Sequence, residues 1–475
     1  MLSKSKKLVI SLFCGVGGLD LGFQSAGFEV AVAIDNNPKV LELYRLNFPD
    51  TLVLCRDVGD ITAVEIQEIV RDKYPDWDEE IAAVIGGPPC QGFSVAGKQD
   101  VNDARSQLVI KFINLVVELN PLMFVMENVP AIESKKFESI TGNAIALIEE
   151  HYILSKWLLI ASHYGVPQKR QRAIWVGSKF GEVDAPYQSD RRFSVGEAIA
   201  DLSHIPINSQ TDTWEWNSEW GEKGEYAQYL EKVFANPSSS GKDIISGCKA
   251  TVHTAATQQK YADTKPGKKE QTTWAYRLSK NGFSPTLRAG SGNRTAARPI
   301  HYEQARVITV CEAARLHSFP DWFDFGTSKL AAHKAIGNSV PPLLAYAIAQ
   351  TLNFELEQKL PGRKSALKTL SVSSLLGLIH APNFAYKKKF NFVTYSYQIE
   401  EAITKCSGTK YLLREIIFVD ERGPPARRSA FIFYNFLSRN INSKDCIPSA
   451  IRIIITTTTT NIPGGAARNH NFNSL

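Results

Sequence analysis

The stretch "GGPPCQGFS", Gly86 to Ser94, places two prolines directly before Cys90. The thiolate is the reactive form of cysteine, and the free side chain titrates near ~8.5. A cysteine on a proline-stiffened turn, just after the apolar run "IAAVI", is a candidate nucleophile for covalent catalysis. A second group is Glu127 in "ENV", a carboxyl that could protonate or hydrogen-bond a ring nitrogen. In "YGVPQKRQR", Gln168, Arg170 and Arg172 alternate, so an extended segment projects all three from one face. The turn "FCGVGG", Phe13 to Gly18, offers glycines that let backbone approach a ligand closely. Its pattern, Gly15-x-Gly17-x-x-Asp20, lacks the third glycine of a dinucleotide fingerprint. Asp35 lies 20 residues after Gly15, where a carboxylate can take ribose hydroxyls. Together these features favour a nucleoside cofactor without a pyrophosphate over NAD.

Regular elements must bring these residues together. Short apolar, β-prone runs predict strands over 8–13, 29–35, 51–55, 81–86, 122–127, 153–161 and 172–177. Amphipathic spacing predicts helices over 19–26, 38–47, 63–74, 106–119 and 136–151, with partly helical stretches over 306–318 and 333–353. Alternating β and α units with near-continuous apolar strands imply an α/β fold, a mostly parallel sheet covered by helices on both faces. Such sheets bind ligands at the carboxyl ends of their strands. The first five predicted strands are followed by the glycine turn, Asp35, Asp57, Pro-Pro-Cys90 and Glu127, so topology gathers these groups into one cleft.

Composition sets the bounds. At 475 residues there is room for two or three domains, and 44% hydrophobic with 21% charged residues suits a soluble globular protein. The seven cysteines are scattered with no CxxC pair, which argues against a disulfide framework or a zinc site and suits a reducing cytoplasm. Cys14, Cys55 and Cys311 read as inert. The N-terminal run before the glycine turn is a strand, too short for a signal peptide, and no stretch approaches the ~20 apolar residues of a membrane helix. The net charge of +6 is unevenly distributed: residues 361–475 hold 16 Lys/Arg against 6 Asp/Glu, while 1–360 hold 38 against 42. If 1–360 bind nucleic acid, a local patch must do it.

The segments "SLFCGVGGLDLGF", "AIDNNP", "GGPPCQGFS", "ENV", "QKRQR" and "AIGNSVPP", in this order, resemble the DNA (cytosine-5) methyltransferases, close to the bacterial modification enzymes. The resemblance covers roughly residues 8–355 and implies a Rossmann-like fold that binds S-adenosylmethionine. It implies that Phe13 stacks on adenine and that Gly15, Gly17, Gly18 and Leu19 pass the methionine portion. It further implies that Asp35 holds the ribose and Asp57 contacts the adenine amino group, with Asn36 and Val58 beside them in the cofactor pocket. Pro89 and Leu108 join this pocket, and Asn338, Ser339 and Val340 return to complete it. Asp35-Asn36 departs from the family's frequent Glu followed by an aromatic residue, so stacking from position 36 is not expected. The catalytic set implied is Cys90, Glu127, Arg172, Arg170 and Gln168, acting on a cytosine flipped out of the duplex. Gln91 and Ser94 belong to a Gly-rich and polar loop with the make-up of a lid.

In this family the region between the Gln-Arg-Arg segment and the closing segments reads the DNA. Here residues 265–298 carry eight Lys/Arg and one acid, with Arg277, Arg288 and Arg294 as candidates for phosphate or guanine contacts. The aromatic group Trp214, Trp216, Trp220, Tyr226 and Tyr229 reads as a small hydrophobic core. The expected division is a catalytic domain over 1–177, a target-recognition domain over 178–330, a returning helical segment over 331–360 and a basic tail over 361–475. Expected partners are double-stranded DNA and a separately acting restriction endonuclease, with a monomeric enzyme, no metal and a bacterial cytoplasmic location. A tRNA-directed enzyme with the same site, a catalytically silent nucleic-acid-binding protein and a nicotinamide dehydrogenase are the competing readings. Intact Cys90 and Glu127 disfavour the silent protein, and the missing glycine disfavours the dehydrogenase.

Overall fold

A computed structural model of the chain describes residues 6–89, 107–216, 222–235, 244–288 and 298–359, and the backbone of two strands beyond them. The elements begin β1 (Leu8–Leu12), α1 (Gly18–Ser25), β2 (Glu29–Asp35), α2 (Pro38–Asn47), β3 (Leu52–Cys55), α3 (Ala63–Lys73) and β4 (Ala83–Gly86). They continue with α4 (Gln107–Leu119), β5 (Met123–Asn128), α5 (Glu138–Glu149), β6 (Ile153–Ile160), β7 (Gln168–Lys169) and β8 (Gln171–Ser178). The predicted strands and helices of this half are all present, with ends shifted by at most two residues. Local chemistry sets several starts. Pro38 opens α2 behind Asn37, whose side chain accepts from Lys39 N–H, and Thr62 with Glu65 forms a capping box on α3.

Seven strands form one sheet in the order β3-β2-β1-β4-β5-β8-β6. The first five run parallel, and β8 is antiparallel to both β5 and β6. This is the expected Rossmann-like, mostly parallel arrangement. Chain order reverses between β1 and β4, so the crevice past their carboxyl ends is the natural ligand site. Alternating side chains feed two cores. Leu8, Ile10 and Leu12 pack with Ile66, Phe112, Val116 and Ile148 on one face. Val9, Ala33 and Ile85 pack with Phe23, Leu41, Leu344 and Ile348 on the other.

The second half continues through α6 (Val195–Ile199), β9 (Trp214–Glu215), α7 (Glu225–Val233), β10 (Ile244–Ile245), α8 (Ala255–Asp263) and β11 (Ser284–Pro285). It closes with α9 (Val310–Leu316), α10 (Lys329–Asn338) and α11 (Pro342–Lys359). The stretch 306–318 thus contains one short helix, and 333–353 is divided between two helices by the Ser339–Pro341 turn. Helix α11 lies against α1, where a Cβ on Gly22 would meet Ala345. Tyr226 and Phe193 stack tilted at 4.7 Å, and Trp214, Trp216 and Tyr229 pack partly buried against the same core, as expected of the aromatic group. Trp220 lies outside the described residues. Tyr261, Ala275, Ile300 and Val307 form a small separate cluster.

The chain divides into two compact units, Met1–Arg363 and Lys364–Leu475. In the second, β12 (Leu412–Val419) pairs antiparallel with β13 (Ala430–Leu437). Among the described residues no helix is long and apolar enough to cross a membrane.

Candidate active site

The glycine turn leaves β1 in a conformation few side chains tolerate. Phe13, Gly15 and Gly17 have φ of 55, 56 and 88°. Gly15 and Gly17 take this left-handed region freely, whereas Phe13, a bulky residue, does so at a cost the surrounding structure must offset. A Cβ on Gly17 would collide with Phe48 and Tyr44, and one on Gly18 with the Val340 carbonyl oxygen. A Cβ on Gly15 would instead meet nothing within 4 Å, so this glycine faces open space. Leu19 and Val58 are buried, and Leu108 is half-buried.

Asp35, at the end of β2, turns back over this opening. Its Oδ2 accepts from Gly15 N–H at 3.1 Å and its Oδ1 from Asn37 N–H at 2.9 Å. Burial raises its carboxyl above the usual range, against the opposing effect of those N–H groups. Asn36 donates to Asp57 Oδ2 at 2.9 Å, and Gly59 N–H donates to Asp57 Oδ1 at 2.8 Å. The predicted ribose and adenine residues therefore form one hydrogen-bonded edge. Asn338 ends α10, and Ser339 and Val340 stand against the turn, with Ser339 Cβ 3.2 Å from where a Cβ on Gly18 would lie and the Val340 carbonyl oxygen closer still. Cys14, beneath the turn, is buried, and its thiol is pushed well up by burial and then by Asp20 and Asp35. A thiol held neutral there suits the inert reading. Cys311 is buried and Cys55 exposed.

The other half of the cleft centres on β5. Glu127 Oε1 pairs with Arg172 Nε at 2.5 Å, both side chains being about one-tenth exposed. Antiparallel pairing of β5 with β8 sets this up, placing Glu127 opposite Ile174 and Asn128 opposite Ala173. Gly87 lies against the carboxyl group, since a Cβ there would be 3.0 Å from Glu127 Oε2. Asn128 Nδ2 donates to Pro88 O at 3.3 Å and tethers the turn as far as Pro89, which is half-buried. Cys90, Gln91 and Ser94 lie outside the described residues. The structure thus brings Glu127 and Arg172 to the mouth of the turn that leads into Cys90. Asn128 is the residue that sequence reasoning passed over, although it stood inside "ENV".

Two predicted catalytic residues are engaged with other parts of the chain. Arg170 is buried, and its guanidinium donates to the carbonyls of Leu287, Gly337 and Ser339 at 3.0, 3.0 and 2.9 Å. Gln168 is buried too, bonded to Leu316 O, His317 Nδ1 and Leu287 N–H. Both hold chain segments together, and exposure alternates along 168–172, with Lys169 and Gln171 the exposed positions.

Arg277 is engaged with backbone likewise. It is buried, and its guanidinium binds the carbonyls of Tyr261, Ala262, Thr264 and Glu303, so it supports the small cluster. Arg288 is exposed, and Arg294 lies outside the described residues.

Comparisons with known proteins agree with this geometry. The family model for C-5 cytosine-specific DNA methylase matches residues 8–353. The Type II methyltransferase M.XorII of Xanthomonas oryzae pv. oryzae is 37% identical over 391 residues, covering 79% of this chain and 91% of the relative. The Type II methyltransferase M1.HphI of Haemophilus parahaemolyticus is 33% identical, covering 72% and 86%. A crystal structure described as a candidate DNA modification methyltransferase of an E. coli prophage aligns with a TM-score of 0.63 and 35% identity. That alignment covers 74% of this chain and 99% of the other. With a cofactor-type glycine turn at one end of the cleft, a Glu127–Arg172 pair at the other and the family match spanning both, this chain belongs to the C-5 cytosine-specific DNA methylase family and is a DNA cytosine-5 methyltransferase.

Proposed function

We propose that the protein transfers a methyl group from S-adenosylmethionine to C5 of a cytosine flipped out of a specific duplex sequence, through a covalent bond from Cys90 to cytosine C6. The observation that carries this reading is the Glu127–Arg172 pair at 2.5 Å beside the Gly87-Pro88-Pro89 turn. The residues at the glycine turn fit the cofactor: open space over Gly15, flanked by the Asp35 carboxyl group and closed by Ser339 and Val340. Asp35 would hold the ribose, Asp57 the adenine amino group and Phe13 the adenine face. Bound there, the cofactor supplies an electrophilic sulfonium methyl group.

The base dictates the remaining roles. Cytosine C5 is a poor nucleophile until the Cys90 thiolate adds to C6 and makes C5 an enamine carbon. Glu127 donates a hydrogen bond or proton to N3 and drains charge from the adduct, and Arg172 orients Glu127 and holds the O2 edge. After C5 has taken the methyl group, a base removes the C5 proton and the C6–S bond breaks, returning the thiolate. A stacked duplex would block every step, so the base must leave the helix. Residues 178–330 read the target, with exposed Arg288 a phosphate contact and Arg294 a further candidate. The relatives are Type II methyltransferases, which suits a monomeric modification enzyme of the bacterial cytoplasm whose endonuclease acts separately. Bisulfite sequencing of DNA from cells expressing the protein tests the reading. Methylated cytosines confined to one short sequence are expected, and their absence would overturn it.

A further inference from the structure

We infer that His317 is a positioning residue for the methyl transfer, a buried bridge that holds the Arg172 segment and the cofactor-side turn in register. This rests on the functional reading above. His317 caps the end of α9 and is fully buried. Its Nδ1 is 3.0 Å from Gln168 Nε2, and its Nε2 is 3.0 Å from the Ser339 carbonyl oxygen. The orientation of the Gln168 amide is fixed independently. Its Oε1 accepts from Leu287 N–H at 3.0 Å and its Nε2 donates to Leu316 O at 3.1 Å, so the amide cannot be turned over without losing both bonds.

An amide nitrogen only donates and a carbonyl only accepts. The imidazole must therefore present a lone pair at Nδ1 and a hydrogen at Nε2, which is the neutral Nε2–H tautomer. Burial and then the Arg170 guanidinium hold the ring well below its usual titration range, in keeping with that state.

The bridge reaches both halves of the site. On one side Gln168 leads through Arg170 and Gln171 to Arg172, whose Nε meets Glu127 at 2.5 Å. On the other, Ser339 stands against Gly18 of the glycine turn, and Arg170 binds the same Ser339 carbonyl at 2.9 Å. The backbone beside the ring is committed as well. Ser318 has φ of 66°, and its Oγ accepts from Leu343 N–H at 3.1 Å, which pins the start of α11. A loosened His317 thus frees the base-side segment and the cofactor wall together. A merely space-filling histidine would connect neither.

Glutamine offers one acceptor and one donor and can replace both bonds, whereas leucine fills the space and makes neither. The test compares the full-length wild type, His317→Gln and His317→Leu. The readouts are S-adenosylmethionine affinity by calorimetry, kcat and KM on a methylatable duplex, and ¹⁵N NMR of the wild-type imidazole. The leucine variant should bind the cofactor roughly tenfold more weakly and turn over more slowly per folded molecule, while glutamine recovers to within about threefold. The NMR signal should show a neutral Nε2–H ring from pH 6 to 8. A folded leucine variant with wild-type affinity and kcat would overturn the inference. So would a glutamine variant as defective as leucine, or a protonated or Nδ1–H ring. Should leucine fail to fold, the glutamine variant and the wild-type NMR still decide. A wild type that neither binds the cofactor nor methylates would sink the functional reading and this inference with it, whereas an active wild type beside an indifferent leucine variant sinks the inference alone.

Discussion

The first five strands and the closing segments build the same cleft by different means. Along β1 to β5 the functional groups sit at or just past the ends of their own strands, and part of their support comes from backbone close in sequence. Asp35 accepts from Asn37 N–H and Asp57 from Gly59 N–H, both two residues on. In the closing segments the contacts are long-range: Gln168 reaches His317, and Arg170 reaches Gly337 and Ser339. The local half presents its polar side chains to the cleft. The long-range half buries most of its own to fasten chain to chain, and of Gln168, Arg170 and Arg172 only the last meets the Glu127 carboxylate.

Substitutions can break this contrast. The largest effect is expected at Glu127, where Gln should slow methyl transfer by on the order of 10² or more, as for a lost general acid. Single-turnover rates at saturating DNA check this, and a normal rate would move the role elsewhere.

Arg170 and Arg172 should then separate sharply when each becomes lysine, which keeps the charge but loses the planar fork. Arg170→Lys leaves buried carbonyls without donors and should cost about 3 kcal/mol of stability, its main effect being on folding. Arg172→Lys should melt close to the wild type and lose about tenfold in kcat, an expectation from losing the guanidinium Nε that meets Glu127. Parallel melting curves and kinetics decide between them, and identical behaviour would erase the distinction drawn here.

Asp20 tests the support beneath the glycine turn. It is fully buried, accepts from Tyr44 O–H at 3.1 Å, and burial lifts its carboxyl from the ordinary value of 3.8 to about 6. Between those values the folded state binds the proton that the unfolded chain releases, so this group favours folding at low pH. The contribution fades as pH rises through about 6. Asp20→Asn should therefore raise the melting temperature at pH 8 more than at pH 5. An equal shift at both, or destabilisation at pH 8, would contradict the assignment.

The smallest effect is expected from the tail. Removing residues 364–475, a unit by the division of the chain and basic in charge, should leave target site and kcat unchanged. At most it should weaken DNA binding at low salt. A shortened protein that folds but changes its target would place the tail in the machinery.

The fold of the first half was legible because its first five strands were near-continuous apolar runs, each closed by a chemically distinctive residue or turn. Glu127 and the glycine turn could be read for the same reason. Arg170, Gln168 and Arg277 could not be placed, because a guanidinium or amide that binds carbonyls far along the chain looks no different in sequence from one that meets a substrate. His317 carried no signal for the same reason, its partners standing 149 and 22 positions away. The cut of α10 from α11 at Ser339 was hidden in a pattern helical on both sides, although Pro341-Pro342 marked it.

The central claim, covalent catalysis at the turn held beside Glu127, is tested most directly with duplex DNA carrying 5-fluorocytosine at the methylated position. Fluorine at C5 leaves no proton to remove after methyl transfer, so the C6–S bond cannot break. The account predicts a denaturation-resistant protein–DNA adduct, formed only with S-adenosylmethionine, mapped to Cys90 and lost in Cys90→Ser. A site methylated normally as cytosine that yields no such adduct, or yields one through another residue, would contradict it.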